Sequence, residues 1–403
     1  MITELYNYCK YPHYAPLNIR PVGEKFNFSP QIRLIPKLFF VTVITKNIYV
    51  KEGFLIYGCY GYTGKLICEM AVKAGMKPVL SGRDEKKVAE LARSLNLEYN
   101  AFDLDNEQNV AEKIKGYKVV LHCAGPFIYT ATVMANACIK AKTHYLDITG
   151  EYQVFERIFK MNDAAEQAGV MLMPGVGFDV VPTDCLALYL SDKLGNVTSL
   201  ELALYMQGGK LSHGTAITIA ENLGDACVAR RDGKLVKFPN AKLRRSIKLK
   251  DGDGEKPAVA ISWGDISTAF RTTGIPNITV YNILPQKLID GMKFSNYIGF
   301  ILRLRPVKNY LINNIKKRPA GPNEEQRKTS TSVVWGEVRN KAGGQQRAVL
   351  TLPEGYTLTA LTSLKIVELV LEKEPPHGSK TPAGVFGKDF ILQFPGVKRK
   401  DIF

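Results

Sequence analysis

The chain lacks the materials of a metal centre or a disulfide framework. Its seven cysteines (Cys9, Cys59, Cys68, Cys123, Cys138, Cys185 and Cys227) are scattered, with no C-x-x-C pair and no Cys/His cluster at ligand spacing. That argues against a structural zinc and for a reducing compartment, the cytoplasm, where thiols serve as small buried apolar groups. Residues 38–44 are apolar but far too short to span a bilayer core of ~30 Å. They also stand too far along the chain, with no small-residue cleavage site after them, for an ordinary signal peptide. Acidic residues are the scarcer charge: 38 Asp and Glu face 54 Lys and Arg, a net charge of +16. The excess favours a phosphorylated cofactor, an acidic substrate or an anionic membrane surface. It is spread along the chain without a recognition motif, so nucleic acid is not expected as a partner.

A length of 403 residues, 45% apolar and 23% charged, is ordinary for a soluble protein of on the order of two or three domains. Residues 1–52 are rich in Tyr, Pro and Asn and show little periodicity. They read as a loosely structured extension ahead of the true beginning of the fold.

Organisation begins at residues 54–67, where an apolar run feeds a glycine-spaced turn and then a helical pattern. Gly58 permits the tight turn, Gly61 lets backbone approach a phosphate, and Gly64 lets the helix pack closely on the sheet. Tyr60, Tyr62 and Thr63 complete this candidate pyrophosphate site, whose spacing is G-x-x-G-x-x-G rather than G-x-G-x-x-G. Strand and helix patterns then alternate. Strands are expected at 78–80, 98–102, 117–123, 144–148 and 170–173, and helices at 63–74, 84–95, 107–115, 129–141 and 152–168. That rhythm means βαβ units and a doubly wound parallel sheet of Rossmann type.

The end of the second strand bears on cofactor choice. NAD-binding folds place an acid about 20 residues past the glycines to hold the ribose hydroxyls. Here Ser81 stands in that place, and Arg83 can form a charge-assisted fork on a 2′-phosphate. NADP(H) is therefore the expected cofactor; the plainer reading, Arg83 closing a strand and Asp84 capping the next helix, is compatible with it. Later turns belong to the same crevice: Cys123, Ala124, Gly125 and Pro126 beside the nicotinamide half, then Asp147 to Glu151, then Gly177 to Asp179. Asp147, Glu151 and Asp179 are candidates to relay a proton. Helix capping is the competing role for Asp147 and Glu151.

The accumulated pieces resemble the saccharopine dehydrogenase-like reductases, including their trans-acting enoyl reductase branch. They are Gly58 with Gly61-Tyr62-Thr63-Gly64, Ser81-Gly82-Arg83, Cys123-Ala124-Gly125-Pro126-Phe127, Tyr145-x-Asp147-x-x-Gly150-Glu151 and Gly177-Phe178-Asp179. Further on come Ser212-His213-Gly214-Thr215, Trp263-Gly264-Asp265, Thr273-Gly274-Ile275-Pro276 and Pro353-Glu354-Gly355-Tyr356-Thr357. In order, they run from about residue 53 to 390. The resemblance implies an NADP-binding Rossmann domain, a second α+β domain and hydride transfer. It does not fix a substrate; an acceptor C=C or C=N bond, small or lipid-like, is the expectation.

On this reading residues 53–180 bind NADP and 181–355 form a substrate and dimerisation domain with a mixed or antiparallel sheet. Residues 356–403 pack back on the nucleotide domain, and a homodimer is the expected assembly. Strands are expected at 198–206, 258–266 and 277–284, a hairpin at 333–352, and a helix at 356–372. His213, in a substrate-facing loop with Ser212 or Thr215 as helix cap, is a fourth proton-donor candidate, although a lone His is more often structural.

Residues 287–318 carry eight basic residues and one acid, Asp290, among Phe294, Tyr297, Phe300 and Ile301. Such a pattern suits peripheral contact with an anionic membrane. The alternative, which we favour, is a helix pair burying an apolar face in the core. Two other functional classes compete. A short-chain dehydrogenase would use Tyr189-x-x-x-Lys193, but it needs an upstream Ser and none lies between 165 and 190. A catalytically inactive NADP-binding sensor or scaffold would keep the glycine turn without the chemistry.

Overall fold

The computed structural model describes residues 53–250 and 252–402, so the extension read at 1–52 lies outside the described residues. The first half alternates as β1 (Phe54–Tyr57), α1 (Tyr62–Lys73), β2 (Val79–Gly82), α2 (Glu85–Leu95), β3 (Tyr99–Ala101) and α3 (Glu107–Ile114). It continues with β4 (Val119–His122), α4 (Phe127–Ala141), β5 (His144–Asp147), α5 (Tyr152–Phe159), α6 (Asn162–Ala168) and β6 (Met171–Met173). These strands lie parallel in the order β6-β5-β4-β1-β2-β3, the doubly wound Rossmann arrangement. Alternate side chains of β1 feed opposite faces: Phe54 and Ile56 pack with α1 and α2, Leu55 and Tyr57 with α3 and α4. Both faces are covered, which is why these strands read as continuous apolar runs.

The second half contains α7 (Val181–Leu194), β7 (Val197–Gln207), α8 (His213–Glu221), β8 (Cys227–Arg231), β9 (Lys234–Phe238), β10 (Arg244–Ile247), β11 (Lys256–Ala260), α9 (Asp265–Thr273) and β12 (Asn277–Ile283). After these come α10 (Gln286–Leu302), α11 (Arg305–Lys316), α12 (Glu324–Thr329), β13 (Thr331–Asn340), β14 (Gln345–Leu352), α13 (Gly355–Glu372), β15 (Gly378–Ser379) and β16 (Lys398–Ile402). A mixed sheet runs β10-β11-β12-β7-β13-β14-β16, with the β8–β9 hairpin beside β12. Leu186, Leu190, Leu202 and Val334 belong to the same apolar cluster as Ile56 and Leu121, so one core is continuous from sheet to sheet. α13 returns to lie on α1.

Several elements depart from the sequence reading. The helix expected over 152–168 breaks into α5 and α6, and at the break Asn162 Oδ1 accepts the Ser379 N–H of β15, a seventh strand on the first sheet. The strand expected over 258–266 stops at Ala260, because Trp263 forms an isolated bridge with Glu151 and α9 starts two residues later. Residues 398–402 do not join the nucleotide domain; they pair with β14 at the edge of the second sheet. α10 was expected to bury its apolar face, but Phe294, Tyr297 and Phe300 are 60, 72 and 70% exposed.

Candidate active site

β1 delivers the chain to a turn that two hydrogen bonds pin to β2: the Gly58 and Cys59 N–H groups both donate to the Ser81 carbonyl, at 2.9 and 3.1 Å. Gly58 has φ +85°, and a Cβ on it would fall 2.7 Å from the Ala124 nitrogen, so the turns after β1 and β4 touch. A Cβ on Gly64 would stand 2.3 Å from the Gly58 carbonyl oxygen. Gly61 differs: the nearest protein atom to its Cβ position is that oxygen, at 3.4 Å, which leaves open space over the helix start. No side chain caps α1 and its first turn holds no acid. The first N–H groups of the helix thus remain for an anion, and the cradle fits a dinucleotide pyrophosphate.

The neighbouring residues divide into two groups. Tyr60 packs over Gly82, with the Lys87 ammonium 5.7 Å from its ring centroid, and Thr63 lies half-buried in the first turn. Tyr62 points away from this cradle. Its hydroxyl donates to the Pro322 carbonyl at 2.6 Å and accepts from Arg327 at 3.1 Å, while its ring meets Tyr356 edge-on at 5.0 Å. Tyr62 fastens a crossing segment to the cofactor helix.

At the end of β2, Ser81 is fully buried and its hydroxyl donates to the Asn100 carbonyl at 2.6 Å, so it belongs to the sheet rather than to a ribose. Arg83 is exposed and takes no hydrogen bond or ion pair among the described residues. Asp84 beside it caps α2 through the Lys87 N–H. Past β4, the Cys123 N–H donates to Tyr57 O at 2.7 Å and the Thr130 hydroxyl donates to Ala124 O at 2.7 Å, holding Cys123, Ala124, Gly125 and Pro126 as a backbone wall beside Gly58.

The two central acids are engaged elsewhere. Asp147 is fully buried and accepts from the Tyr145 hydroxyl at 2.6 Å and from the Thr149 and Gly175 N–H groups, both at 2.9 Å; burial pushes its pKa up to about 6. It ties the end of β5 to the loop after β6. Glu151 accepts from the Phe127 and Ile128 N–H groups at 2.8 and 3.2 Å, so it caps α4 across the cleft rather than its own helix. His213 is similarly committed: its Nε2 bonds Arg318 O at 2.7 Å and its N–H bonds Ala320 O at 2.8 Å. Each of the three thus has a hydrogen-bonding role in holding the fold together.

Asp179 stands apart. It follows β6, half-buried, with the Trp263 indole N–H donating to it, and burial pushes its pKa up to about 7. A Cβ on Gly150 would fall 2.5 Å from Trp263 Nε1 and 2.7 Å from Asp179 Oδ2, so the turns after β5 and β6 converge here. Tyr356 joins them from the start of α13. Its hydroxyl accepts the Ser212 N–H at 2.6 Å and lies 3.0 Å from Thr215 Oγ1, and the Asp179 charge adds to the burial that raises its pKa. Trp263 and Tyr356 were missed as site residues, although both sit in the short motifs that carry the resemblance.

The short-chain alternative fails on geometry. Tyr189 and Lys193 both bond the Asp401 carboxylate and the Arg399 guanidinium stacks on Tyr189 at 3.6 Å, which makes them a staple between α7 and β16.

Comparison with known proteins matches residues 54–173 to the family model described as saccharopine dehydrogenase NADP binding domain. Residues 54–173 are thus similar to a saccharopine dehydrogenase NADP-binding domain. Among curated relatives, saccharopine dehydrogenase-like oxidoreductases of Bos taurus and Mus musculus are 27% and 30% identical over 176 residues. Those alignments cover 38% of this chain and 41% of the relatives' length. A putative trans-acting enoyl reductase of Mycobacterium tuberculosis is 26% identical over 185 residues, covering 43% of this chain and 44% of that protein. The apo structure of saccharopine dehydrogenase (L-Glu forming) from Saccharomyces cerevisiae shares the fold over 87% of this chain and 100% of that one, with a TM-score of 0.59 and 11% identity. Within the stretch the family model matches lie the open start of α1 and Arg83, which is exposed and has no hydrogen bond or ion pair among the described residues. Among the described residues no group of His, Cys, Asp and Glu could hold a metal ion.

Proposed function

We propose that the chain is an NADPH-dependent reductase that acts on a C=C or C=N acceptor, with Asp179 as proton donor. The observation that carries this reading is Asp179 itself, a half-buried acid with a pKa of about 7 at the same strand ends as the glycine cradle. NADPH, when bound, supplies the hydride from its nicotinamide ring. The residues of the chain do the rest. The Gly58–Gly61 turn and the start of α1 hold the pyrophosphate, Arg83 forks the 2′-phosphate, and the Cys123–Pro126 backbone lines the nicotinamide half. The Trp263 N–H fixes the Asp179 carboxyl, which keeps a proton near neutral pH for the acceptor's second atom. The Tyr356 hydroxyl, fixed by the Ser212 N–H and by Thr215 Oγ1, orients a polar group of the substrate. An enoyl acceptor agrees with the name of the mycobacterial relative, and a lipid-like one suits the exposed Leu211, Ile219 and Tyr310 around α8 and α11.

The test is NADPH consumption across a panel of enoyl thioesters, imines and ketones, with Asp179→Asn in parallel. The reading expects turnover on an enoyl or imino member and its loss in Asp179→Asn with NADPH binding retained. Tight NADPH binding without turnover on any member would return the protein to the sensor reading. Undiminished turnover in Asp179→Asn would remove Asp179 as the donor.

A further inference from the structure

The α10–α11 hairpin has an apolar surface that stays exposed among the described residues. α10 is 17 residues long yet buries only Ile289 and Gly299, and α11 buries only Lys308. Helices on a globular surface turn their apolar stripe inward, where burial stabilises them. Here the stripe points out. Phe294, Tyr297 and Phe300 are 60, 72 and 70% exposed, and Ile301 joins them at 41%. Positions 294, 297 and 301 recur at helical spacing, so the side chains share one face with Phe300 at its edge. Phe294 and Tyr297 already touch, with ring centroids 6.4 Å apart. A contiguous exposed apolar patch on a soluble chain marks a contact surface.

Charge selects the contact. Arg303 and Arg305 tether the hairpin to the body, through Gly224 O and Asp225 and through Glu221. Lys287, Lys293, Lys316 and Lys317 form no ion pair among the described residues. The one acid of the stretch, Asp290, accepts from Gln286. A second copy of this chain would bring the same unpaired lysines face to face, which costs electrostatic energy. An anionic lipid surface offers instead phosphates for the lysines and a headgroup layer for the rings. Among the described residues no helix is long and apolar enough to cross a membrane, so contact of this kind lies on the surface.

We propose that α10 and α11 dock the protein on an anionic lipid surface, with Phe294, Tyr297, Phe300 and Ile301 entering the headgroup layer and the free lysines on lipid phosphates. The inference stands on exposure and charge and is independent of the reaction. It has a structural corollary. α11 runs directly into residues 318–322, whose carbonyls accept from His213 on α8 and from Tyr62 on α1. The docked hairpin is thus one short segment away from the cofactor helix.

The test is co-flotation of the full-length chain with phosphatidylcholine vesicles made with and without phosphatidylserine, at low and high salt. The proposal expects flotation with anionic vesicles alone, reversed by salt. The triple variant Phe294→Ser/Tyr297→Ser/Phe300→Ser should lower the bound fraction on the order of tenfold or more, because insertion of the rings supplies the apolar part of binding. Lys287→Glu/Lys293→Glu should lower it as well, and neither variant should change the melting temperature. Absence of flotation, or flotation untouched by the triple variant, would overturn the proposal. So would a wild-type dimer that the triple variant makes monomeric, which would assign the face to a second copy. A fall in melting temperature in the triple variant would overturn it too, by assigning the face to other residues of this chain.

Discussion

A single methyl group added at each glycine of the cofactor turn should separate stability from binding. At Gly58, with φ +85°, an Ala would adopt a left-handed backbone costing about 1–2 kcal/mol, and its Cβ would press on the Ala124 backbone 2.7 Å away. At Gly64 the new Cβ would stand 2.3 Å from the Gly58 carbonyl oxygen, and overpacking of that kind costs ~1–3 kcal/mol. Gly61 has φ −67° and nothing closer than 3.4 Å, so Gly61→Ala loses only the preference for Gly over Ala at a helix N-cap, ~0.5–1 kcal/mol. In thermal unfolding, Gly61→Ala should shift the midpoint by only ~2 °C, and the other two by several degrees. In NADPH titration the order reverses. The methyl on Gly61 occupies the space where the pyrophosphate meets backbone, and affinity should fall at least about tenfold, ~1.4 kcal/mol. If Gly61→Ala binds NADPH as the wild type does, the phosphates do not sit over the start of α1 and the reasoning fails.

Other residues make separate claims. Arg83→Gln should leave the melting temperature unchanged, because Arg83 forms no hydrogen bond or ion pair among the described residues, yet weaken NADPH ~10–100-fold with little effect on NADH; equal loss for both cofactors would contradict its role. Asp179 must be protonated to act, so kcat/KM of the wild type should fall about tenfold per pH unit above its pKa of about 7; a kcat/KM that stays level as the pH rises well past 7 would count against it. Glu151→Gln removes a carboxylate from the start of α4 and leaves one acceptor oxygen for two N–H groups, a loss of ~1–2 kcal/mol in stability. The same variant should keep the pH profile of turnover; losing it would make Glu151 the donor.

The fold was legible where it rests on local pattern. β1, the glycine turn and α1 are contiguous, and the buried strands show as apolar runs. What stayed hidden depends on partners distant in sequence. Asp147 and Glu151 look like free cleft acids until Gly175 and Phe127 are seen to bond them, 28 and 24 residues away. Trp263 reaches Asp179 only because the loop before α9 folds back over the strand ends, and Tyr356 feels its charge from the start of α13. Ser81 shows the same limit: near the end of β2 it stands where an acid would hold a ribose, but its hydroxyl donates to the Asn100 carbonyl. In α10 the periodicity defined an apolar face without saying what, if anything, would cover it.

The most direct test of the account is a crystal structure of the full-length protein with NADP bound. The account predicts the pyrophosphate over Gly61 at the start of α1, the 2′-phosphate on Arg83, and the nicotinamide beside Ala124 with Asp179 facing it. A 2′-phosphate away from Arg83, or a nicotinamide whose reacting face looks towards neither Asp179 nor Tyr356, would contradict it.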